Sequence, residues 1–470
     1  MSWRKPMRLS SALKCKEAPS PSRCNFRHPA NAFRVESVLR GLLSPLPMKT
    51  IPPSMKMKPL RWLVTLLGLA LMVSAVRAAP ADDPLAAWRT NVRISAVAPA
   101  DGRHTIHSYF NTCPESPDGR FVLFYASSAK DGHRGEVRIR NRGSGEERLL
   151  ATNLTAEDAH RVACQQWVSN GKRVVFHGER DGAWFVGCVA LDTGKERVLA
   201  PGQLAGWGQP QADVVPLYSP HWKPGAKRDL DLLHVVTGER HTAVTVAALK
   251  QAYPDWFTKT FAGQQPSIFF PILSPDLQRV FFKMALATGD DPRSKSASDR
   301  QGLICYSLAE QRFLYLNPKW GHPSWQPDSR HITEMHYTVF DSNDGTATSN
   351  PGLPTKAARA KAAAAGTPAP AFALRDVSGD HPSVSPDGKL IVTDTLMTSF
   401  GGASNEWGVV LADAKGTGQI VLHQFDNSHG AASWRRSHPH PVFSADGKRI
   451  YYNVSSGPWT QLHVAERSLP

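Results

Sequence analysis

One turn recurs seven times along this chain, and its spacing constrains the fold more than any other feature of the sequence. In its plainest form the turn reads Ser-Pro-Asp-Gly, as at residues 116–119 and 385–388. Asp and Gly supply the positive φ and the local hydrogen bonds that such a turn requires. The last position of the turn falls at seven places that are 52 to 59 residues apart: Gly119, Gly171, Gly225, Leu277, Ser329, Gly388 and Gly447.

This repeat predicts an all-β fold. Each turn joins a short strand to a β-rich strand, and a third strand with an exposed hairpin often follows, as in residues 188–200. That makes about four strands in each unit, and a period near 50 with four strands is typical of β-propeller blades. We therefore predict a seven-bladed β-propeller with four-stranded antiparallel blades over residues 105–470. A β-sandwich with coincidental turns is the alternative.

The N-terminal region has a different character from the repeat. Residues 55–78 combine a basic start, an apolar run and a Val-Arg-Ala ending, which is the pattern of a secretory signal peptide. We predict that residues 1–79 are an upstream leader and signal peptide, cleaved near Ala78. The mature protein would then be periplasmic or secreted in a Gram-negative bacterial envelope. An N-terminal membrane anchor is the alternative.

Two further segments complete the predicted organisation. Residues 80–104 are expected to supply a strand that closes the ring. Residues 341–370 are rich in Ala, Pro, Gly and Ser, and we expect them to form a low-complexity insertion.

Charge and cysteine content exclude some classes of protein. Residues 1–79 hold 14 Lys and Arg against 2 Asp and Glu, so the leader carries +12 of the formal +15 charge of the chain. The high pI therefore gives no argument for nucleic-acid binding, and we predict no membrane contact after cleavage. Four cysteines beyond the leader are too few for a disulfide scaffold in a chain of this length. We expect buried free thiols at Cys113, Cys164, Cys188 and Cys305.

The repeat also identifies residues that should line the central channel. Counting seven positions back from each turn gives an equivalent residue in every unit: Thr112, Cys164, Tyr218, Phe270, His322, His381 and His440. Three consecutive units thus place a histidine at the same position. His438 faces the same side of its strand as His440, because side chains alternate along a strand. Converging imidazoles suit a divalent transition metal such as manganese or zinc. Alternatively, each histidine caps the backbone of a neighbouring blade.

At these residues the chain resembles the TolB-like propellers and, within them, the propeller polysaccharide lyases. Oligogalacturonate lyase is the first resemblance and the ulvan lyases are the second. The specific motifs are Gly-His-x-x-Trp-x-Pro-Asp at 321–328 and His-Pro-His-Pro at 438–441. The resemblance implies manganese as the metal, with zinc second, bound by His322, His438 and His440.

One position departs from the lyase pattern. Oligogalacturonate lyases have a Gln ligand three residues before the histidine pair, where this chain has Arg435. Gln424 or His381 could complete the metal sphere instead. Arg435 could alternatively bind a carboxylate of the substrate.

The chemistry of a uronate lyase suggests further residues. β-Elimination removes the C5 proton, so the neighbouring carboxylate needs neutralisation by a metal or an Arg, a base must take the proton, and an acid must help the C4 oxygen leave. His160, His177 and Tyr218 are the candidate catalytic residues, since ulvan lyases use a histidine pair and a Tyr from early blades. Besides Arg435, the candidate substrate-binding residues are His221 and Arg240. Each of these residues has ordinary propeller packing as its alternative role.

Three functions compete on this reading. The first is a secreted metal-dependent lyase acting on uronate-containing oligosaccharides or polysaccharides, which needs no organic cofactor. The second is a non-catalytic TolB-like propeller that binds a protein or envelope partner. The third is a hydrolase: we find no Gly-x-Ser-x-Gly elbow, while a glycosidase with paired carboxylates stays open.

Overall fold

Strands dominate the part of the chain that the structure describes. The computed structural model describes residues 83–348, 379–416 and 418–467, so the predicted leader and its cleavage site lie outside the described residues. Within these ranges the fold is mostly β, as expected for the predicted class. No helix in them is long and apolar enough to cross a lipid bilayer.

The N-terminal half of the described chain forms three antiparallel sheets, together with a first strand, β1 (Val92–Ala96), which joins the last sheet described below. The first sheet runs through β2 (His104–Ile106), β3 (Phe121–Ser127), β4 (Arg134–Asn141) and β5 (Glu147–Thr155), and continues with β6 (Gln166–Val168), β7 (Arg173–Arg180), β8 (Ala183–Ala190) and β9 (Glu196–Pro201). The two halves of this sheet share a single residue pair, Thr155 with Glu179. The second sheet contains β10 (Leu204–Ala205), β11 (Val214–Tyr218), β12 (Leu230–His234) and β13 (Arg240–Val244).

Two helices, Val246–Ala252 and Pro254–Phe261, follow the second sheet, and a one-turn helix, Ala86–Arg89, precedes β1. The third sheet contains β14 (Ser267–Leu273), β15 (Arg279–Ala287), β16 (Ser298–Ser307) and β17 (Arg312–Asn317). Short 3-10 turns occur at Met335–Tyr337 and Met397–Phe400.

The C-terminal half repeats the four-strand pattern. One sheet contains β18 (Ser324–Trp325), β19 (His331–Thr333), β20 (Val339–Asp341) and β21 (Ala347–Thr348), and the next contains β22 (Ser383–Val384), β23 (Leu390–Leu396), β24 (Glu406–Asp413) and β25 (Gln419–Asp426). The last sheet contains β26 (Val442–Phe443), β27 (Arg449–Val454) and β28 (Gln461–Arg467). Its fourth strand is β1, which pairs antiparallel with β28 from Val92–Arg467 to Ala96–His463.

The recurrent turn has the same backbone at every copy. All seven positions identified from the sequence have a positive φ, between 58° and 76°, including the two that are not glycine, Leu277 and Ser329. In four copies a serine hydroxyl donates to the aspartate two residues later, at 2.6 to 2.7 Å: Ser116 to Asp118, Ser274 to Asp276, Ser385 to Asp387 and Ser444 to Asp446. The local chemistry of the motif therefore sets the geometry between the first and second strands of these units.

The structure can be compared with two further predictions, the low-complexity insertion and the free cysteines. Residues 341–348, which the sequence assigned to the insertion, include the end of β20 and the whole of β21, because this hairpin supplies the outer strands of its sheet. The remainder of the predicted insertion, from residue 349, lies outside the described residues. The four cysteines beyond the leader are free, and Cys164, Cys188 and Cys305 are buried.

Candidate functional site

Four histidines from different parts of the chain meet at one point. His381 and His440 lie two residues before the first strands of their sheets, β22 and β26, and His438 lies four residues before β26. His160 comes from the segment between β5 and β6. One ring nitrogen from each of the four lies within 4.8 Å of the others. This histidine cluster brings together three of the residues that the sequence proposed as metal ligands and one that it proposed as a catalytic residue.

The cluster is buried, and its ring nitrogens lack protein partners. His160, His381 and His440 are at most 1% exposed. Five buried nitrogens have no hydrogen bond within the described part of the chain: Nε2 of His160, Nε2 of His381, Nδ1 of His438, and both ring nitrogens of His440. Buried polar atoms are normally satisfied, so five unpartnered ring nitrogens at one point form a set of potential metal donors.

Hydrogen bonds made by their Nδ1 atoms orient the rings of His381 and His160. The carboxylate of Asp394, a fully buried residue of β23, lies 2.9 Å from Nδ1 of His381. The same carboxylate accepts the backbone N–H of His440 at 3.1 Å, which helps to hold His440 at its left-handed φ of 48°. Nδ1 of His160 lies 3.1 Å from the carbonyl oxygen of Arg436. Metal-bound histidines usually have a carboxylate or carbonyl on their other nitrogen, and these two have that arrangement.

Burial keeps the four imidazoles neutral. It lowers the pKa of His381 and of His438 to about 3. Burial, together with the neighbouring positive charge of Arg435 and the other histidines, also places the pKa of His160 well below its usual value. Neutral imidazoles keep a lone pair free for a metal, so the donor set at this point fits a divalent transition metal.

His322 lies beside the cluster but outside the group of four. Its ring centroid is 4.7 Å from that of His381, while its Nδ1 lies 3.2 Å from Sδ of Met335. The ring therefore borders the site, with one nitrogen turned towards a methionine.

Two aromatic residues from the segment after β2 fill the space next to the cluster. The ring of Tyr109 is 4.6 Å from that of His440 and stacks on Trp207 at 5.8 Å. The ring of Phe110 is 5.1 Å from that of His381. Burial raises the pKa of the Tyr109 phenol to about 12, so its proton is held firmly at neutral pH.

Positive charge surrounds these rings. Nη1 of Arg435 is buried without a hydrogen bond in the described residues and lies 3.8 Å from Oδ2 of Asp158. Nε of Arg300 is likewise unpartnered, and burial and the charge of Arg435 lower the pKa of Arg300 to about 9. Lys283 is 3% exposed and contacts two aromatic rings. Buried cationic groups that lack hydrogen bonds are costly, so this side of the site is suited to an anionic ligand.

A second polar network holds His221, which the sequence proposed as a substrate-binding residue. Nε2 of His221 lies 3.0 Å from Glu157, and its Nδ1 lies 2.7 Å from the hydroxyl of Ser298. Arg161 donates to both carboxylate oxygens of Glu157 at 2.9 and 3.0 Å. The hydroxyl of Tyr218 is buried without a hydrogen bond in the described residues. His221 is therefore committed to internal hydrogen bonds.

Other proposed residues have partners of their own. Nδ1 of His177 accepts the backbone N–H of Ala205 at 3.0 Å. Arg240, on an exposed strand, donates to Gln203 at 2.6 Å. Gln424 is exposed and donates to Glu406 at 3.1 Å. Each of these three side chains is thus hydrogen-bonded to a group outside the histidine cluster.

Sequence reasoning missed Tyr109, Asp394 and Lys283. The last two had a readable signal. Asp394 is the one charged residue of Leu390–Leu396, and Lys283 is the one charged residue of Arg279–Ala287 after its first position. A charge in a buried strand requires a partner or a function. Tyr109 had no comparable signal, since aromatic residues are common in propeller cores.

Comparisons with known proteins agree with this architecture. No protein-family model matches the sequence, and no curated protein is significantly similar to it. Among solved structures, an oligogalacturonate lyase in complex with manganese aligns with a TM-score of 0.52 and 15% identity over 81% of this chain and 94% of that chain. The oligogalacturonate lyase of Vibrio parahaemolyticus aligns with a TM-score of 0.50 and 13% identity over 80% of this chain and 94% of that chain.

The fold is a β-propeller. TolB from Acinetobacter baumannii is also matched, with a TM-score of 0.35 and 12% identity over 74% of this chain and 80% of that chain. In a propeller the first strands of successive blades surround the axis. This arrangement explains why His381 and His440, each two residues before a first strand, come together.

Proposed function

We propose that this protein is a secreted, metal-dependent lyase that cleaves uronate-containing oligosaccharides or polysaccharides by β-elimination. The observation that carries the proposal is the buried histidine cluster with its five unpartnered ring nitrogens. The structural similarity to an oligogalacturonate lyase in complex with manganese also supports this proposal. The alternative is a non-catalytic TolB-like propeller that binds a protein or envelope partner, which needs no metal.

The proposal includes a seven-bladed propeller with four-stranded blades. The two halves of the first sheet, which share one residue pair, and the five remaining sheets supply seven groups of four strands. The pairing of β1 with β28 supports ring closure by the N-terminal strand. Export to the periplasm or medium rests on the signal-peptide pattern of residues 55–78.

The metal in this proposal is manganese or zinc, held by His160, His381, His438 and His440. A bound divalent cation would neutralise the uronate carboxylate and so make the neighbouring C5 proton easier to remove. His160 thus serves as a ligand rather than as the base suggested by the sequence. Its Nε2 is one of the unpartnered nitrogens, and its Nδ1 is already oriented by a carbonyl oxygen.

Two other residues have roles in the reaction. Nη1 of Arg435 lies 3.8 Å from Asp158 but has no hydrogen bond in the described residues, and we assign this side chain to the substrate carboxylate, since guanidinium and carboxylate form strong charge-assisted hydrogen bonds. Tyr109 keeps its phenolic proton at neutral pH, because burial raises its pKa to about 12. A protonated phenol beside the cluster can donate to the leaving C4 oxygen as the general acid.

The first test is metal content by elemental analysis on protein purified without a histidine tag. Wild type should carry close to one equivalent of manganese or zinc, and His381→Ala and His440→Ala should lose it. His331→Ala is the matched control, because His331 is bound to Asp328 at the surface and lies outside the cluster. The resemblance implies His322 as a metal ligand, whereas the ligand set proposed from the structure does not include it. His322→Ala should therefore retain the metal.

The second test is lyase activity on polyuronates. Elimination creates an unsaturated uronate, whose conjugated carboxylate absorbs in the ultraviolet, whereas hydrolysis creates no such chromophore. Loss of the absorbing product together with the metal in His440→Ala would support the proposal. Wild-type protein that contains no metal and releases no unsaturated product would contradict it and favour the binding propeller.

A further inference from the structure

Two tryptophans with exposed rings lie on the segments that deliver the histidines. Among the exposed large hydrophobic residues of the described ranges, Trp320 and Trp434 are the two aromatic ones, at 43% and 38% exposure. Trp320 comes two residues before His322, and Trp434 comes four residues before His438. Scattered exposed aliphatic residues need no explanation on a protein surface, whereas aromatic side chains commonly line ligand sites. These two rings are therefore candidates for ligand contacts.

The two rings differ in the surface that they offer. Nε1 of Trp434 donates to the carbonyl oxygen of Pro292 at 2.7 Å, so another loop packs against its edge. Trp320 has Nζ of Lys283 over one face, 5.2 Å from the ring centroid, and the ring of His322 edge-on at 5.4 Å. Because the amine covers one face, the exposed surface of Trp320 lies on the opposite face and the free edges. This indole thus presents a flat apolar surface to the solvent.

The loop that carries this exposed indole is fixed on both sides of the ring. Before the ring, the side chain of Asn317 accepts the backbone N–H of Lys319 at 3.1 Å. After the ring, the carboxylate of Glu334 accepts the backbone N–H of His322 at 2.9 Å. The same carboxylate packs so closely against Gly321 that an added Cβ would overlap it. A ring on a fixed loop loses little conformational freedom when a ligand binds, which favours binding.

Trp320 borders the histidine cluster through a single ring. Its indole contacts His322, and the ring centroid of His322 is 4.7 Å from that of His381. A ligand on the exposed face of Trp320 would therefore lie next to a ligand at the cluster. Lys319, the residue before the indole, is also exposed, so a cation stands beside this apolar face.

We propose that Trp320 is a stacking platform for a sugar ring of the substrate, next to the ring that is cleaved. The inference rests on the proposed lyase function and adds a binding subsite to it. A pyranose has a face of C–H groups that packs on an indole, while its hydroxyls and carboxylate point outwards to water. The ammonium of Lys319 suits the carboxylate of a uronate in this position. The ligand is thus a chain of at least two sugar rings, one at the cluster and one on Trp320.

The first experiment measures the kinetics of Trp320→Ala and Trp320→Phe on the polyuronate that the wild-type protein cleaves. Trp320→Ala should raise KM by about 2- to 10-fold, the effect of one aromatic contact, with unchanged kcat and metal content. Trp320→Phe keeps an aromatic face and should have an intermediate KM. The control is Trp256→Phe, because Trp256 lies on the helix Pro254–Phe261 and packs against Phe261, and it should keep the wild-type KM.

Two results of these kinetics would overturn the subsite. An unchanged KM in Trp320→Ala would show that the indole does not bind the substrate. A loss of kcat or of metal with an unchanged KM would show that the indole supports His322 and the cluster instead.

The second experiment does not depend on cleavage. The indole N–H signal that is missing from the ¹⁵N NMR spectrum of Trp320→Phe identifies Trp320. The probes are tetrasaccharides of galacturonate, mannuronate and xylose, added to wild-type protein with a chelator that prevents metal-dependent cleavage. The Trp320 signal should shift with a uronate probe.

The outcomes of this titration separate the subsite from the proposed function. If the protein cleaves a polyuronate and none of the probes shifts the Trp320 signal, the subsite is wrong and the lyase function stands. If a probe shifts the signal but no polyuronate is cleaved, the sugar platform stands and the lyase function fails. If neither occurs, both proposals are wrong.

Discussion

Replacing Asp394 with Asn tests whether the histidine cluster is a metal centre. The carboxylate lies 2.9 Å from Nδ1 of His381 and accepts the backbone N–H of His440 at 3.1 Å. The carboxylate thus fixes the tautomer of His381 and the backbone of His440. Burial raises the pKa of Asp394 to about 7. Asn has nearly the same shape, so the substitution removes this ionisable carboxyl group while filling the same volume.

The size of the effect follows from this geometry. Loss of a carboxylate that orients a metal-bound histidine typically lowers metal affinity about 10- to 100-fold, which corresponds to about 1.4 to 2.8 kcal/mol. Asp394 is fully buried and contacts two of the four histidines, so we expect a value towards the upper end. The protein should still fold, because an uncharged amide costs less to bury than a carboxylate.

The assay is titration of the metal-free protein with manganese and with zinc in a calorimeter, with melting temperature recorded in parallel. Asp387→Asn provides the matched control, since Asp387 lies in the turn of the same sheet and bonds Ser385 rather than a histidine. Control and wild type should bind alike, and Asp394→Asn should bind more weakly. Equal affinity of wild type and Asp394→Asn, with both proteins folded, would refute the metal centre as we describe it.

Three further predictions test the acid, the pH response and the packing. Tyr109→Phe should slow elimination most for poor leaving groups, and a uniform effect on good and poor leaving groups would contradict an acid role. Burial lowers the pKa of His177 in the folded protein to about 3. Below pH 6.5 the unfolded chain therefore binds a proton on His177 that the folded protein does not bind. The stability that is present above pH 6.5 is consequently lost as the pH falls towards 3. His177→Gln should therefore reduce the pH dependence of the urea-unfolding free energy by about 1.4 kcal/mol per pH unit below 6.5, and an unchanged slope would show that another group dominates. Gly187→Ala should destabilise by about 1 to 3 kcal/mol in the same assay, because its Cβ would meet Phe176 at 2.5 Å, and unaltered unfolding would mean that this ring moves freely.

Much of the fold could be predicted because its information is local. The turn motif sets a positive φ at seven positions, and the same few residues satisfy the turn wherever they occur. The regular spacing of the turn then predicts repeated four-strand units. The same regularity placed His381 and His440 at equivalent positions, and the structure brings both into one group with His438.

The remainder of the site depends on contacts between distant segments. His160 is 221 residues from His381 in the sequence, yet their ring centroids are 5.7 Å apart. A count within one repeat cannot show which loop of another sheet reaches the same point. It also could not show that His322 turns one nitrogen to Met335, or that Lys283 lies behind Trp320.

The sequence by itself therefore determined the repeated turn, the all-β class and the histidines that share a repeat position, since each of these follows from residues close together in the chain. Only the tertiary structure decided that His160 joins the cluster, that Asp394 orients it and that Lys283 borders it. The physical reason is that metal-ligand geometry and shifted pKa values arise from burial and from neighbours in space. Those neighbours come from separate sheets, and packing alone brings them together.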